Sequence, residues 1–238
     1  MPSGCRAEEE MMMTQNKRNL RRMLLAGVLL ASPVLALEPA QAALPKMTSS
    51  IPDVTFVVFD TETTGFSAEY DRIVEIGAVK IQNGEIIEER SWLINPQRTI
   101  SRRVTGVHGI SGQMVRNKPT FAEVYPEFVE FVGDAVLVAH NARFDVDMVR
   151  AEVERNGLEQ MPNVCLDSLK LFRSWWPDAK SHKLGALADQ LGITGEGFHR
   201  GMADSRYAAL ILFSGLQQHP RCNNLRKLFA AGGGMLVF

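Results

Sequence analysis

Cysteine is nearly absent from this sequence: Cys5, Cys165 and Cys222 lie far apart and in no C-x-x-C arrangement. That argues against a disulfide scaffold or a cysteine-based zinc site, and it makes a reducing compartment the expectation. An excess of either charge sign is also lacking, with 26 Lys and Arg against 27 Asp and Glu and a formal net charge of −1. Such a balance excludes a histone-like nucleic-acid coat and an acidic solvating tail. No internal repeat and no low-complexity linker is present. What remains is ordinary globular composition, 45% hydrophobic and 22% charged over 238 residues. That is enough for one substantial domain with extra material at an end, and it excludes disorder throughout.

The extra material is the first 46 residues. A basic stretch (Lys17, Arg18, Arg21, Arg22) precedes an uncharged run at residues 23–37, and Ala40-Gln41-Ala42 places small residues at a cleavage-like position. Basic region, short apolar core and A-x-A are the parts of a secretory signal. Fifteen residues make about 22 Å of helix, short of the roughly 30 Å of a bilayer core, so a permanent span is the weaker idea. The competing reading is an upstream start, since Met47 stands six residues before the folded pattern begins and Glu8, Glu9 and Glu10 suit a signal poorly. On the second reading the protein is cytoplasmic; on the first it is exported. Either way residues 1–46 are a leader outside the fold, residues 47–216 are the domain, and residues 217–238 are a short tail. The tail, with Pro220, a basic cluster and Gly232-Gly233-Gly234, reads as a mobile end or a partner-binding segment.

Within the body, residues 55–59 (TFVVF) read as a central buried strand, and residues 73–79 and 86–94 as two more. Asn83-Gly84 between the latter two is a hairpin signal because both residues tolerate positive φ. A helix is expected over residues 120–131, a fourth strand over 135–139, a helix over 145–156 and a short fifth strand at Val164-Cys165. Leu184, Leu187, Ala188 and Leu191 have helical spacing ended by Gly192, and residues 202–216 form a last long helix. A hairpin followed by alternating helices and strands predicts an α/β fold, a mixed sheet covered by helices.

The informative chemistry is Asp60-Thr61-Glu62, directly after the first strand. In extended backbone, residues i and i+2 share a side about 6.6 Å apart along the chain, so both carboxylates can converge on one point. Like charges held together raise their own energy unless protons or cations neutralise them. Asp145 and Asp204 stand in comparable places, near the starts of helices, and His199 lies five residues before Asp204. Four carboxylates without a soft ligand suit Mg²⁺ or Mn²⁺ better than zinc. Two such ions activate water and stabilise the leaving oxygen of a phosphodiester, and a histidine nearby can take the proton.

Three segments carry a resemblance. Asp60-Thr61-Glu62-Thr63-Thr64-Gly65, His140-Asn141-Ala142-Arg143-Phe144-Asp145 and His199-Arg200-Gly201-Met202-Ala203-Asp204 resemble, in order, the three motifs of the DEDDh 3′–5′ exonucleases. This is the family containing the proofreading epsilon subunit of bacterial DNA polymerase III. Segments 104–110 and 183–187 also look like family segments, and the likeness spans about residues 54–216. It implies a ribonuclease H-like fold, with a mixed five-stranded sheet, its first three strands antiparallel, and flanking helices. It implies that Asp60, Glu62 and Asp204 bind the tighter of two divalent cations, Mg²⁺ or Mn²⁺. Asp60 would also touch the second, which Asp145 holds partly through water, and His199 would be the general base. Thr63, Gly65 and Phe66 would line the 3′-terminal nucleotide, with Thr61 behind the metal-bearing strand end. The segment from His108 to Ile110 would support the terminal base, while Asn141 and Phe144 seat the strand or brace the metal site. Plainer roles stand beside these: Asn141 as a helix cap, Phe144 as core, His108 as a loop hydrogen-bonding group, and Trp175-Trp176 as core packing.

The implied reaction is hydrolysis of the last phosphodiester at a free 3′ end of single-stranded or frayed DNA, releasing nucleoside 5′-monophosphates in proofreading or repair. A mismatched end costs least to open. The alternatives are a 3′ exonuclease of RNA or short oligonucleotides, and a non-catalytic module binding nucleic-acid ends. Residues 47–238 hold 20 basic and 23 acidic side chains, so attraction to the strand must come from metals and local groups such as Arg102, Arg103, Arg143 and Arg200. Weak, salt-sensitive, distributive binding is expected, with processivity left to a polymerase or other partner. No stable membrane partner is expected for the core.

Overall fold

A computed structural model describes residues 44–193 and 200–238. The leader reading, residues 1–43 of it, and His199 therefore lie outside the described residues. No described helix is long and apolar enough to cross a membrane.

The chain opens with a long antiparallel meander: β1 (Phe56–Thr63), β2 (Ile73–Gln82) and β3 (Glu85–Leu93). Asn83 (φ 50°) and Gly84 (φ 81°) make the tight β2–β3 turn, both in the left-handed region that these residues adopt at low cost. Three helices follow, α1 (Arg102–His108), α2 (Gly112–Val115) and α3 (Phe121–Val132). Then come β4 (Val136–Ala139), α4 (Arg143–Arg155), β5 (Val164–Asp167), α5 (Ser168–Trp175), α6 (Leu184–Gln190) and α7 (Gly201–Gln218). The chain ends with α8 (Leu225–Ala231) and β6 (Met235–Val237). The sheet order is β3-β2-β1-β4-β5-β6. β1 pairs antiparallel with β2 and parallel with β4, β4 pairs parallel with β5, and β5 antiparallel with β6.

The mixed α/β architecture and the antiparallel first three strands are as expected, but the sheet has six strands rather than five. The sixth comes from residues read as a mobile tail. Its Leu236 and Phe238 join the core on the α3/α4 side, with the Phe238 ring 6.1 Å from that of Phe59. The α8 start is fastened to the beginning of the body, Leu225 N–H donating to Ser49 O (3.2 Å) and Arg226 N–H to Met47 O (2.8 Å).

Strand alternation sorts the core into two layers. Val57 and Phe59 of β1 point to the face covered by α3 and α4, where they meet Phe128, Val146 and Val149. Phe56 and Val58 point to the other face, beneath α5, α7 and α8, with Phe172, Ala208, Ile211 and Leu228. Burial on both faces explains why β1 reads as a continuous apolar run rather than an alternating one. The same parity decides where the acidic residues at its end will point.

Candidate active site

Asp60 and Glu62 continue the parity of Phe56 and Val58, so both face α7. That helix brings Asp204 in its first turn, and the three residues each place a carboxylate oxygen within 4.8 Å of the others. Three hard oxygen donors at this spacing are a candidate metal site, of the chemistry that suits hard divalent cations.

The approach of α7 to the sheet depends on two glycines. A β-carbon on Gly77, the cross-strand partner of Asp60, would lie 2.0 Å from the Gly201 carbonyl carbon. One on Gly201 would lie 2.9 Å from Gly77 N. Ser205 then donates to Gly77 O (2.9 Å) or, within the helix, to Gly201 O (2.7 Å). Glu75, 1% exposed near the start of β2, accepts from Arg200 Nε (3.2 Å) and Nη2 (3.1 Å), from Gly201 N–H (3.2 Å) and from Ser91 Oγ (2.8 Å). This buried carboxylate pins the N-terminus of α7 to the sheet, and charge-assisted bonds of this kind are the strong ones. The sequence reading passed over Glu75, although a charged residue inside Ile73-Val74-Glu75-Ile76 was the available signal. The reading also assigned Arg200 to phosphate attraction, whereas its guanidinium is engaged by Glu75.

Asp145 is not part of the three-oxygen group. Thr61 has the opposite parity and faces α4, which carries Asp145 in its first turn. The buried Asp145 accepts at Oδ1 from Thr61 N–H (2.9 Å) and Thr61 Oγ1 (2.7 Å). The four acidic residues are thus divided by the strand, three on one face and one held from the other. Thr61→Val keeps the volume and removes one donor to this carboxylate. We expect a loss of about 1–3 kcal/mol in urea denaturation, the usual cost of depriving a buried polar group of a bond.

The electrostatics record the crowding. Burial, then Asp145, Glu62, Asp204 and Glu75, push the Asp60 carboxyl well above the usual range. Burial and then Asp204, Glu75 and Asp145 raise Glu62 to about 7, Arg200 opposing them. Burial raises Asp145 to about 7 against the two Thr61 hydrogen bonds. Without a cation the cluster holds protons in the neutral range, and a bound divalent ion reverses that preference.

The other expected site residues divide into two sets. Thr63, Gly65, Phe66 and Phe144 come together at the end of β1. Thr63 Oγ1 donates to Gly65 O (2.5 Å), Gly65 packs against the Asp71 carboxylate, and the Phe66 ring, 87% exposed, lies 6.3 Å from that of Phe144. Asn141 is exposed with φ 66°, a conformation asparagine tolerates. The N-cap position of α4 is taken by Ala142, and the Asn141 carbonyl accepts from Phe144 N–H (3.0 Å). His108 and Ile110, by contrast, are buried. Ile110 packs with Val74, Ile100 and Val115, and its N–H donates to His108 Nδ1 (3.0 Å), so the loop-bonding role of His108 is the observed one. Trp175 is core as expected, its ring stacked on His219 at 5.2 Å.

A cleft of about 830 Å³ is lined by Asp60 and Asp204 together with His140, Asn141, Arg173, His182 and Lys183. His140 is structural: Nε2 donates to His182 O (2.9 Å), Nδ1 faces Ser168 Oγ (3.1 Å), and burial lowers its pKa to about 4.

Comparison with known proteins bears on this arrangement. Residues 57–212 match the RNase T family model, described as an exonuclease. The chain is 44% identical over 160 residues to a DNA polymerase III PolC-type protein of Clostridium perfringens, covering 67% of this chain and 11% of that protein. It is 42% identical over 163 residues to the PolC-type protein of Caldanaerobacter subterraneus subsp. tengcongensis, covering 68% and 12%. The chain thus spans about a tenth of the length of these relatives. Among solved structures it is similar to exonuclease X in complex with 5′ overhanging duplex DNA, with 29% identity and a TM-score of 0.59 over 69% of this chain and 93% of that one. The fold is shared with E. coli exonuclease I in complex with a dT13 oligonucleotide, at 22% identity and a TM-score of 0.64 over 75% and 46%.

Proposed function

The chain belongs to the RNase T exonuclease family, and we propose that it hydrolyses the terminal phosphodiester at a 3′ end of single-stranded or frayed DNA, releasing nucleoside 5′-monophosphates. The observation that carries this reading is the convergence of Asp60, Glu62 and Asp204 at the end of β1, inside the matched segment. Bound divalent cations supply Lewis-acid chemistry, activation of the attacking water and charge against the departing oxygen. Asp60, Glu62 and Asp204 would hold the first cation, and Asp145, oriented by Thr61, would serve the second together with Asp60. His199 takes the proton of the attacking water. Thr63, Gly65, Phe66 and Phe144 receive the terminal nucleotide, Phe66 offering an exposed ring for base stacking. Asn141 shapes the turn that delivers Phe144 and Asp145, while His108 and Ile110 brace the loop behind.

The test is incubation of the full chain with 5′-labelled single-stranded DNA and RNA in Mg²⁺, Mn²⁺ or EDTA, with matched and mismatched duplex ends in parallel. Stepwise shortening from the 3′ end of DNA, absent in EDTA, is the expected result. Binding to ends without shortening would replace the enzyme with a recognition module, and exclusive loss of RNA would move the substrate class.

A further inference from the structure

Polyanionic substrate meets a site built of carboxylates in a body that carries more acidic than basic side chains. The cations that sequence reading set against this cost are partly spent. Arg200 is engaged by Glu75, and Arg143 pairs with Asp147 at 3.4 Å. The cleft itself supplies others. Arg173, from the last turn of α5, and Lys183, immediately before α6, line it together with Asp60 and Asp204. Both side chains are exposed, and among the described residues neither has an ion-pair or side-chain hydrogen-bond partner. The backbone beneath Lys183 is fixed, because His182 O accepts from His140 Nε2 and His182 Nε2 bonds to Trp176 O (2.9 Å). Phe66 and Phe144, whose rings lie 6.3 Å apart, do not line this cleft. The cleft volume lies in the upper range of ligand sites.

We propose that Arg173 and Lys183 form a subsite for the backbone phosphates on the 5′ side of the scissile bond, drawing the strand across the carboxylate centre. This rests on the nuclease reading above. It differs from binding of the departing nucleotide, which would need the cations even for a substrate with one phosphodiester and nothing upstream.

That difference defines the experiment. Steady-state hydrolysis by the full chain in Mg²⁺ is measured on a single-stranded DNA oligonucleotide and on the 4-nitrophenyl ester of thymidine 5′-monophosphate, which has no upstream phosphate. The Arg173→Gln/Lys183→Gln protein is expected to show an oligonucleotide KM raised by about tenfold, with kcat nearly unchanged, as for lost phosphate contacts. The slope of log KM against log salt concentration should fall by about 1.4, close to 0.7 per phosphate contact on a single strand. Hydrolysis of the nitrophenyl ester should be unaltered, and Arg173→Lys/Lys183→Arg should restore the oligonucleotide KM and the salt slope. Equal losses on both substrates would overturn the proposal in favour of the departing nucleotide, and an unchanged salt slope would remove the phosphate contacts altogether. If the parent protein hydrolyses neither substrate, the nuclease reading fails first and the subsite with it.

Discussion

Asp60→Asn is expected to stop turnover while making the metal-free protein more stable than its parent. Asp60 offers a carboxylate oxygen within 4.8 Å of oxygens of Glu62 and Asp204 and feels Asp145 and Glu75 as well. The asparagine is isosteric and removes one negative charge from that crowd, so the fold is relieved where the chemistry is lost. A fall in rate of at least about 10³-fold is expected from the loss of a preorganised charge at the reacting centre. The stability effect has a defined pH window. Glu62 titrates near 7 in the folded protein and near 4.5 when unfolded, so the native state binds the extra proton. Its favourable contribution is complete below pH 4.5 and is lost as pH rises through about 7. Asp60 and Asp145 shift in the same direction. The metal-free parent should therefore lose thermal stability between weakly acidic and weakly alkaline pH. Mg²⁺ at about a hundred times its Kd should restore about 5–10 °C of Tm on the alkaline side and little on the acid side. Melting curves with and without Mg²⁺ across this range check both statements. A parent Tm indifferent to Mg²⁺ at alkaline pH, or an asparagine variant that still shortens DNA, would contradict the site.

The second large effect is expected at a residue with no side chain. Gly77→Ala places a methyl 2.0 Å from the Gly201 carbonyl carbon and 2.1 Å from Met202 N. Both atoms are backbone of the first turn of α7, so no rotamer change relieves the clash, and the helix start must lift from β2. Overpacking in a well-ordered core costs about 1–3 kcal/mol and more where backbone must move, so a loss near the upper end or beyond is expected in urea denaturation. Asp204, in that same turn, moves with it, so the Mg²⁺-dependent rise in Tm should shrink as well. Gly112→Ala is the matched control. A β-carbon there meets nothing within 4 Å, and the position begins a helix, so its stability should change little.

These two residues mark what could be read beforehand. Asp60, Glu62, Asp145 and Asp204 stood out because acidic residues next to apolar runs are expensive unless used. Strands β1 to β4 and the helices from α3 onward with two or more buried turns announced themselves through continuous or periodic apolar residues. Gly77 was silent, because a glycine in a strand says only that something comes close, not what. The division of the carboxylates into three and one follows from strand parity, yet it required knowing that α4 covers one face and α7 the other. Short helices α1, α2 and α5 escaped, whereas the equally short α6 was legible because Leu184, Leu187, Ala188 and Leu191 repeat at helical spacing and Gly192 ends them. Residues 217–238 were read as mobile because glycines and basic residues dominate there, whereas the burial of Leu236 and Phe238 is a long-range property. Arg173 carried no local signal, and Lys183 stood out only as the start of a family-like segment; the cleft joins both to the carboxylates.

The order of the sheet leaves two outer strands, and each is guarded against pairing with another copy of the chain. β3 presents Glu85, Glu88, Glu89 and Arg90 along its length, so a second β3 laid beside it would meet like charge. β6 carries the half-exposed Met235 and Val237, an adhesive surface, but runs for only three residues. One border is defended by repulsion and the other by brevity, so the six-stranded sheet ends at its own margins instead of serving as a template for fibrous self-association.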